Sequence, residues 1–302
     1  RRSFSNLFND YNVKFLPDTQ KIKLNFEKYD LRFLENSEIG YFQKLVEKKQ
    51  YSYKSFYIDI FDGNNLILTD STGNSIFIKN FINLKPASSN LRIVKKNINP
   101  VKVLDTYVFK NNFFISYVDK KKENCRNFVI SKAVINKDYL NFEEFFREKK
   151  CSSFIQGGRM QILNFDNNLG LIFTIADNII DEPSDEPQSN DSNFGKIIFK
   201  EISSKKEIIF SKGHRNPQGL LVYDNIILST EHGPRGGDEI NKIEYGKNYG
   251  WPIASYGMKY KSNSEYLQSH VKHGFKEPIF SFTPSIGISE IIKVPETFDK
   301  NW

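Results

Sequence analysis

The chain has 302 residues, of which 39% are hydrophobic and 15% aromatic, a composition that excludes an intrinsically disordered protein. Its net charge of +7 comes from lysines scattered among 36 acidic residues. This pattern favours a solvated surface and argues against a nucleic-acid partner. No apolar run approaches the roughly 18 residues of a membrane span. Abundant Phe and Tyr, with Asn at the turns, favour an all-β fold.

The first 50 residues are polar and are predicted to form a lead-in segment, in which residues 34–49 are a candidate helix. From residue 51 a pattern recurs four times, in which an Asn- and Asp-rich turn leads into three apolar residues and then Thr or Ser. The apolar runs begin at residues 66, 113, 171 and 226. A strand-like segment precedes each turn, so each unit is predicted to be a β-hairpin.

A repeat of roughly 50 residues built from hairpins is typical of a β-propeller whose blades are four-stranded sheets. Further strands are predicted at residues 128–134, 197–202 and 207–210. The main alternative is a two-sheet sandwich, but sandwich strands recur without such a long period. Residues 51–302 are therefore predicted to form one propeller domain.

The two cysteines and an acidic segment are the other features of note. Cys125 and Cys151 fit either a single disulfide in an exported protein or two reduced core thiols. Residues 177–193 carry six acidic residues and two prolines, and are predicted to form a solvated acidic loop.

Residues 213–252 contain three informative motifs, GHRNPQG, EHGPRGGDEIN and NYGWP. In the first, Arg215, Asn216 and Gln218 place a fixed cation and two amides within four residues. Such a set can hold an anionic or carbonyl-rich ligand, although an ordinary polar turn is the alternative. In the second, carbonyls of a Gly-rich loop, together with Asp238 or Glu239, are donors that suit Ca²⁺. The alternative there is a tight connection with solvated acids.

The three motifs in this order resemble the glucose/sorbosone dehydrogenase family of soluble sugar dehydrogenases that depend on pyrroloquinoline quinone (PQQ). The resemblance covers about residues 100–302. It implies a six-bladed β-propeller that binds PQQ and Ca²⁺, oxidises aldoses to lactones and is exported to the periplasm. By motif, PQQ would contact Arg215 and Asn216, with Gln218 nearby. One calcium would bind the carbonyls of Gly233 and Pro234, and a second, structural one would bind Glu239 and the carbonyl of Tyr249.

The sequence departs from the family at three places. The family's general base is a His four residues before an Arg, and here that position is Ile155 in Ile-Gln-Gly-Gly-Arg. Losing a general base typically costs about 10²- to 10⁴-fold in rate. A family Gln that faces PQQ is also absent, because its stretch aligns with residues 100–105. The sequence ends where a fifth hairpin is expected, so about four to five blades are predicted in this chain.

Three functions are consistent with these observations. The first is a PQQ- and calcium-dependent aldose dehydrogenase with an altered base, in which Arg215 would stabilise charge on the quinone. The second is a non-catalytic calcium-binding propeller that recognises a sugar or a protein. The third is a calcium-dependent hydrolase of the lactonase type, which has only fold-level support. The sugar and the electron acceptor are not predicted.

Overall fold

The computed structural model describes residues 56–80, 91–122, 125–136, 138–178 and 184–294. The expected lead-in segment and its candidate helix lie outside the described residues. Among the described residues the regular structure is strand, apart from a 3₁₀ turn at His270–His273, so the all-β prediction is confirmed. No helix in these ranges is long and apolar enough to cross a membrane.

The strands form four sheets, each of which follows the chain as an antiparallel meander. The first sheet contains β1 (Phe56–Phe61), β2 (Asn65–Asp70), β3 (Ser75–Ile78) and β4 (Leu91–Lys96), with β8 (Tyr139–Leu140) parallel to β4. The second contains β5 (Lys102–Phe109), β6 (Asn112–Lys122), β7 (Cys125–Val134) and β9 (Glu143–Arg147). The third contains β10 (Gly157–Phe165), β11 (Asn168–Ile175), β12 (Lys196–Glu201) and β13 (Glu207–Lys212). The fourth contains β14 (Pro217–Tyr223), β15 (Ile226–Glu231), β16 (Asp238–Lys242) and β17 (Phe280–Phe282).

The four hairpins that the repeat predicts are β1–β2, β5–β6, β10–β11 and β14–β15, and all are present. Their tips use residues that tolerate left-handed backbone angles. Asp166 and Asn167, for example, have φ of 51° and 61° and close the two-residue turn between β10 and β11. Asn and Asp adopt this conformation more readily than other non-glycine residues, which explains the turn pattern in the sequence.

Apolar side chains fill the spaces between consecutive sheets. Three buried clusters are centred on Phe113 between sheets one and two, Phe173 between sheets two and three, and Phe199 between sheets three and four. The first strands β1, β5, β10 and β14 contact one another in that order. Sheets stacked face to face with their first strands side by side are arranged as the blades of a propeller. The count of six blades stays a prediction.

Sheets two and three approach each other closely at Gly158. This glycine has φ of +96°, and a Cβ atom there would lie 2.6 Å from the Cβ of Leu104. The hydroxyl of Ser116 donates a 2.7 Å hydrogen bond to the Gly158 carbonyl. The absence of a side chain at Gly158 therefore allows the two sheets to pack and to share this bond.

Cys125 and Cys151 form a disulfide, which decides between the two alternatives left by the sequence. The bond joins the first residue of β7 to the segment that leads into β10. The backbone of Arg126 exchanges two hydrogen bonds with that of Ser152 beside it. The segment before β10 is thus fixed covalently and by hydrogen bonds to the second sheet.

Candidate functional site

One end of sheets three and four carries an open cavity of about 480 Å³. The segment before β10, the end of β11, the segment entering β14 and the loop after β15 all reach it. A last contribution comes from the chain after β17. The lining residues are Phe154, Gln156, Asp177, Arg215, Asn216, Gln218, His232, Gly233, Pro234, Asp238, Tyr260, Ser285 and Gly287.

Arg215 lines this cavity, and hydrogen bonds hold both its backbone amide and its guanidinium group. Its amide donates to the carboxylate of Glu231 at 3.2 Å. Its Nη1 donates to the carbonyls of His232 and Gly233 at 3.0 and 2.6 Å. The guanidinium carbon lies 5.3 Å from the ring centre of Trp251, within the range of a cation–π contact. The cation is therefore fixed in place.

A row of amides lies beside Arg215. The side-chain amide of Gln218 donates to the carbonyl of the Asn216 side chain at 2.6 Å. The Asn216 amide in turn donates to the Gln156 side chain at 2.8 Å. The structure therefore brings together the three residues that the sequence predicted, and it adds Gln156. Gln156 could not be selected from the sequence, because 60 residues separate it from its partner Asn216.

Asp177 is not part of a solvated loop, so that part of the prediction is wrong. The residue is only 3% exposed, directly after β11. The indole nitrogen of Trp251 donates to its Oδ2 at 2.8 Å, and the Ser184 hydroxyl donates to its Oδ1 at 2.7 Å. Burial is the largest effect on its pKa and raises it above the usual value. These donors explain why a carboxylate can be buried at this point.

The Gly-rich loop is predicted over residues 232–241. In the structure it is shorter, because β16 already begins at Asp238. The Asp238 carboxylate accepts hydrogen bonds from the amide of Gly233 and from the amides of residues 286–288. It therefore ties the loop to the chain after β17, and it is engaged by backbone donors. Gly233 and Pro234 line the large cavity, as the resemblance implied for a metal beside the ligand.

Glu239 and Tyr249 lie at a second, smaller cavity of about 10 Å³, with Glu231 and His270 beside them. The Asn241 amide donates to both Glu231 and Glu239, at 3.2 and 3.3 Å. Burial, and then the nearby Glu231 charge, raise the pKa of Glu239 to about 8. The space suits a single ion or water molecule, and the carboxylates give it negative potential. Among the described residues, however, no three His, Cys, Asp or Glu side chains form a metal-binding group.

His214 belongs to the framework and does not reach the cavity. It is completely buried, with Nε2 2.7 Å from the Ser211 hydroxyl and Nδ1 2.6 Å from the Glu231 carboxylate. Its ring stacks on Tyr249 at 4.7 Å between centres. This Ser–His–Glu arrangement has the contacts of a hydrolytic triad. Because His214 is completely buried, no substrate can reach it. Its effect is to fix Glu231, which holds the Arg215 amide.

Ile155, which the resemblance aligns with the family's general base, has its side chain in the core. It is 6% exposed and belongs to the cluster that contains Phe173. Its neighbours Phe154 and Gln156 line the large cavity. The backbone thus reaches the cavity wall at this position, while the isoleucine side chain packs between the sheets.

Comparison with known proteins gives a consistent result. The family model for Glucose / Sorbosone dehydrogenase matches residues 96–302. Aldose sugar dehydrogenase YliI of Escherichia coli is 41% identical over 95 residues, which is 30% of this chain and 25% of that protein. Quinoprotein glucose dehydrogenase B of Acinetobacter calcoaceticus is 37% identical over 95 residues, which is 31% of this chain and 19% of that protein. The matched segments thus span about a quarter or less of these two relatives.

A solved structure shows the same fold over a larger part of the chain. It is the apo-form of the soluble aldose sugar dehydrogenase from Escherichia coli, with a TM-score of 0.64 and 24% identity. The match covers 78% of this chain and 74% of that one.

Proposed function

Because the chain belongs to the glucose/sorbosone dehydrogenase family, we propose that it oxidises an aldose to a lactone with PQQ and calcium. The observation that carries the proposal is the fixed Arg215 cation beside a row of amides in an open cavity. The cavity volume, about 480 Å³, lies in the range usual for ligand sites. The quinoprotein among the relatives supports the choice of cofactor.

The residues at the cavity suit a planar ligand that is rich in carboxylates and carbonyls. Arg215, Asn216 and Gln218 would hold it, because guanidinium and amide N–H groups are the donors that such oxygens require. When bound, PQQ supplies the redox chemistry. The role of Arg215 is to place positive charge where negative charge develops on a carbonyl oxygen.

Two places fit calcium. At the first, the carbonyls of Gly233 and Pro234 would bind the ion, and the Gly233 oxygen would also keep its 2.6 Å hydrogen bond from Arg215. A carbonyl oxygen has two lone pairs and can serve both cations. At the second, Glu239 and the Tyr249 carbonyl would bind a structural ion. The Asn241 amide bonds to both Glu231 and Glu239, which brings the two side chains together, and a bound cation would offset the repulsion between them.

The disulfide supports an oxidising compartment. Disulfides persist in exported proteins and are rare in the cytosol, so the Cys125–Cys151 bond favours the periplasmic location that the resemblance implies.

A second candidate function is calcium-dependent recognition without catalysis. Ile155 favours it, because an aliphatic side chain packed in the core cannot accept a proton. This candidate predicts calcium binding and sugar or protein binding without oxidation.

Quinone reduction separates the two functions. The protein would be loaded with Ca²⁺ and PQQ, and the quinone absorbance followed as D-glucose, D-galactose, D-xylose or maltose is added. Ile155→His would be tested beside Ile155→Leu, which controls for the disturbance of core packing. Reduction by the natural protein supports the dehydrogenase. Binding without reduction supports the recognition function, and rescue by His alone would place the lost base at residue 155.

A further inference from the structure

We propose that Asp177 accepts the proton of the sugar's anomeric hydroxyl, and so performs the step for which Ile155 is unsuited. This inference rests on the proposed function. It concerns a residue that the sequence had placed in a solvent-exposed loop.

Position is the first argument. Asp177 lines the large cavity on the wall that contains the Ile155 backbone, because the amide of Ala176 bonds to the Gln156 carbonyl at 3.2 Å. The Asp177 amide also donates to the Arg215 carbonyl at 2.7 Å. The backbone of Asp177 is therefore fixed between the segment that contains Ile155 and the backbone of Arg215, the cation that would hold the quinone.

Orientation is the second argument. Trp251 donates to Oδ2 at 2.8 Å, while Ser184 and the amide of Asn178 donate to Oδ1, both at 2.7 Å. A carboxylate offers about four lone-pair directions, so one is left for a further donor. The Asn178 amide is the next one along the chain, Ser184 follows seven residues after Asp177, and Trp251 lies 74 residues away, and together they hold the carboxylate in one orientation. A general base needs such a fixed position within hydrogen-bond reach of its proton.

The other candidate bases at the cavity fit less well. Asp238 accepts four backbone N–H groups, which already occupy both of its carboxylate oxygens. His232 adjoins Gly233, and the carbonyls of both residues accept hydrogen bonds from Arg215, so His232 belongs to the part of the cavity that is proposed to bind calcium.

The electrostatics of Asp177 support its role. Burial raises its pKa, whereas the hydrogen bonds of Trp251, Ser184 and Asn178 and the Arg215 charge act in the opposite direction. Two further ionisable groups sense its charge, the Lys196 ammonium and the Tyr266 hydroxyl. A carboxylate with a raised pKa is a stronger base than an exposed one, and is better matched to neutral pH.

The step balances with the quinone as oxidant. Bound PQQ would serve as the oxidant, accepting the C1 hydrogen of the aldose with its electron pair as the C1–H bond breaks. The O1–H bond breaks and its proton goes to the Asp177 carboxylate, so that C1 and O1 form the carbonyl of the lactone. Asp177 returns the proton to water after the product leaves.

The test uses Asp177→Asn, which keeps the shape of the side chain. Its amide oxygen can still accept from Trp251, and the Ser184 hydroxyl can rotate to accept from its NH2 group, while the Asn178 amide loses its acceptor. Glu148→Gln is the matched control, because it removes a buried carboxylate outside the cavity. Each protein is loaded with Ca²⁺ and PQQ, and the affinity for PQQ is measured separately from the rate at which the fastest sugar of the panel reduces it. We expect Asp177→Asn to bind PQQ within about threefold of the natural protein and to be reduced at least about 100-fold more slowly. Glu148→Gln should match the natural protein in both.

A second readout does not need catalysis. In a Trp302→Phe background the single remaining tryptophan, Trp251, reports on the carboxylate that its indole N–H contacts. Its fluorescence should titrate with a pKa above the usual value of about 4. That pKa should match the rising limb of the pH–rate profile, and Asp177→Asn should abolish the transition.

The outcomes distinguish failure of the proposed role of Asp177 from failure of the proposed dehydrogenase function. Loss of reduction with retained PQQ binding, and a shared pKa, support Asp177 as the base. Reduction at the natural rate by Asp177→Asn would overturn this role and leave the dehydrogenase intact. If the natural protein binds PQQ and no panel sugar reduces it, Asp177 is not a working base. If the natural protein does not bind PQQ, the proposed function fails and this inference fails with it.

Discussion

Removing the Cys125–Cys151 disulfide should destabilise the protein strongly. The bond closes a loop with a sequence separation of 26 residues, and this loop contains β7, β8 and β9. In the chain-entropy treatment, a loop of that length restricts the unfolded chain by about 3.5 kcal/mol at 25 °C. The paired variant Cys125→Ser, Cys151→Ser should therefore lose about 2 to 4 kcal/mol of unfolding free energy.

The assay is equilibrium unfolding in urea, followed by circular dichroism. With an m-value of roughly 2 kcal/mol/M, the midpoint should fall by about 1 to 2 M. The matched control is the natural protein treated with a reducing agent, which should shift by the same amount if the bond is the only difference.

The disulfide also fixes the segment that carries Gln156 to the cavity. Its loss should weaken PQQ binding more than a remote destabilisation of equal size would. A midpoint shift below about 0.3 M, or a shift that reduction does not reproduce, would refute the assignment of this stability to the bond.

Three further predictions concern other parts of the molecule. Arg215→Gln should weaken PQQ binding by about 10- to 100-fold in an absorbance titration, because charge-assisted hydrogen bonds contribute about 1.5 to 3 kcal/mol; unchanged affinity would contradict its role. Asp105 has its pKa raised by burial from 3.8 to about 7, despite the opposing Arg159 charge. The protonated form is thus favoured on folding, and this contribution to stability is lost as the pH rises from about 4 to about 7. Asp105→Asn should flatten the pH dependence of the melting temperature between about pH 4 and pH 7. If the melting temperature of this variant changes with pH as steeply as that of the natural protein, the raised pKa of Asp105 is contradicted. Gly158→Ala should destabilise by about 2 to 4 kcal/mol in urea unfolding, since the new Cβ would meet Leu104 at a left-handed backbone angle. A Cβ added at Gly63 would have no atom within 4 Å, so Gly63→Ala should lose only the backbone strain of about 1 kcal/mol in unfolding free energy. Equal losses of stability in the Gly158 and Gly63 variants would contradict the packing argument.

Much of the architecture could be predicted from the sequence because its signals are local. The turn between β10 and β11 needs only Asp166 and Asn167 beside alternating apolar residues, and the same holds for the other three first hairpins. Strands β3, β4, β8, β9, β16 and β17 were missed. They are short, at two to six residues, and their neighbours in the sheet fix them more than their own composition does.

The residues of the candidate site also divide into those that a local sequence motif identifies and those that only the fold brings together. Arg215, Asn216 and Gln218 are adjacent in sequence, so residue type and motif identified them together. Asp177 could not be identified because its partner Trp251 is 74 residues away, and its acidic neighbours suggested exposure. Prediction from sequence thus found the contiguous half of the cavity and missed the half that the fold assembles.

Equilibrium binding of PQQ tests the central claim most directly. The natural protein would be titrated with PQQ in the presence and absence of Ca²⁺, with Arg215→Gln measured in parallel. The account predicts saturable one-to-one binding with a Kd below about 10 μM, strengthened by Ca²⁺ and weakened by the substitution. No binding at about 1 mM PQQ, or binding that is indifferent to both Ca²⁺ and Arg215, would contradict a quinone site in this cavity.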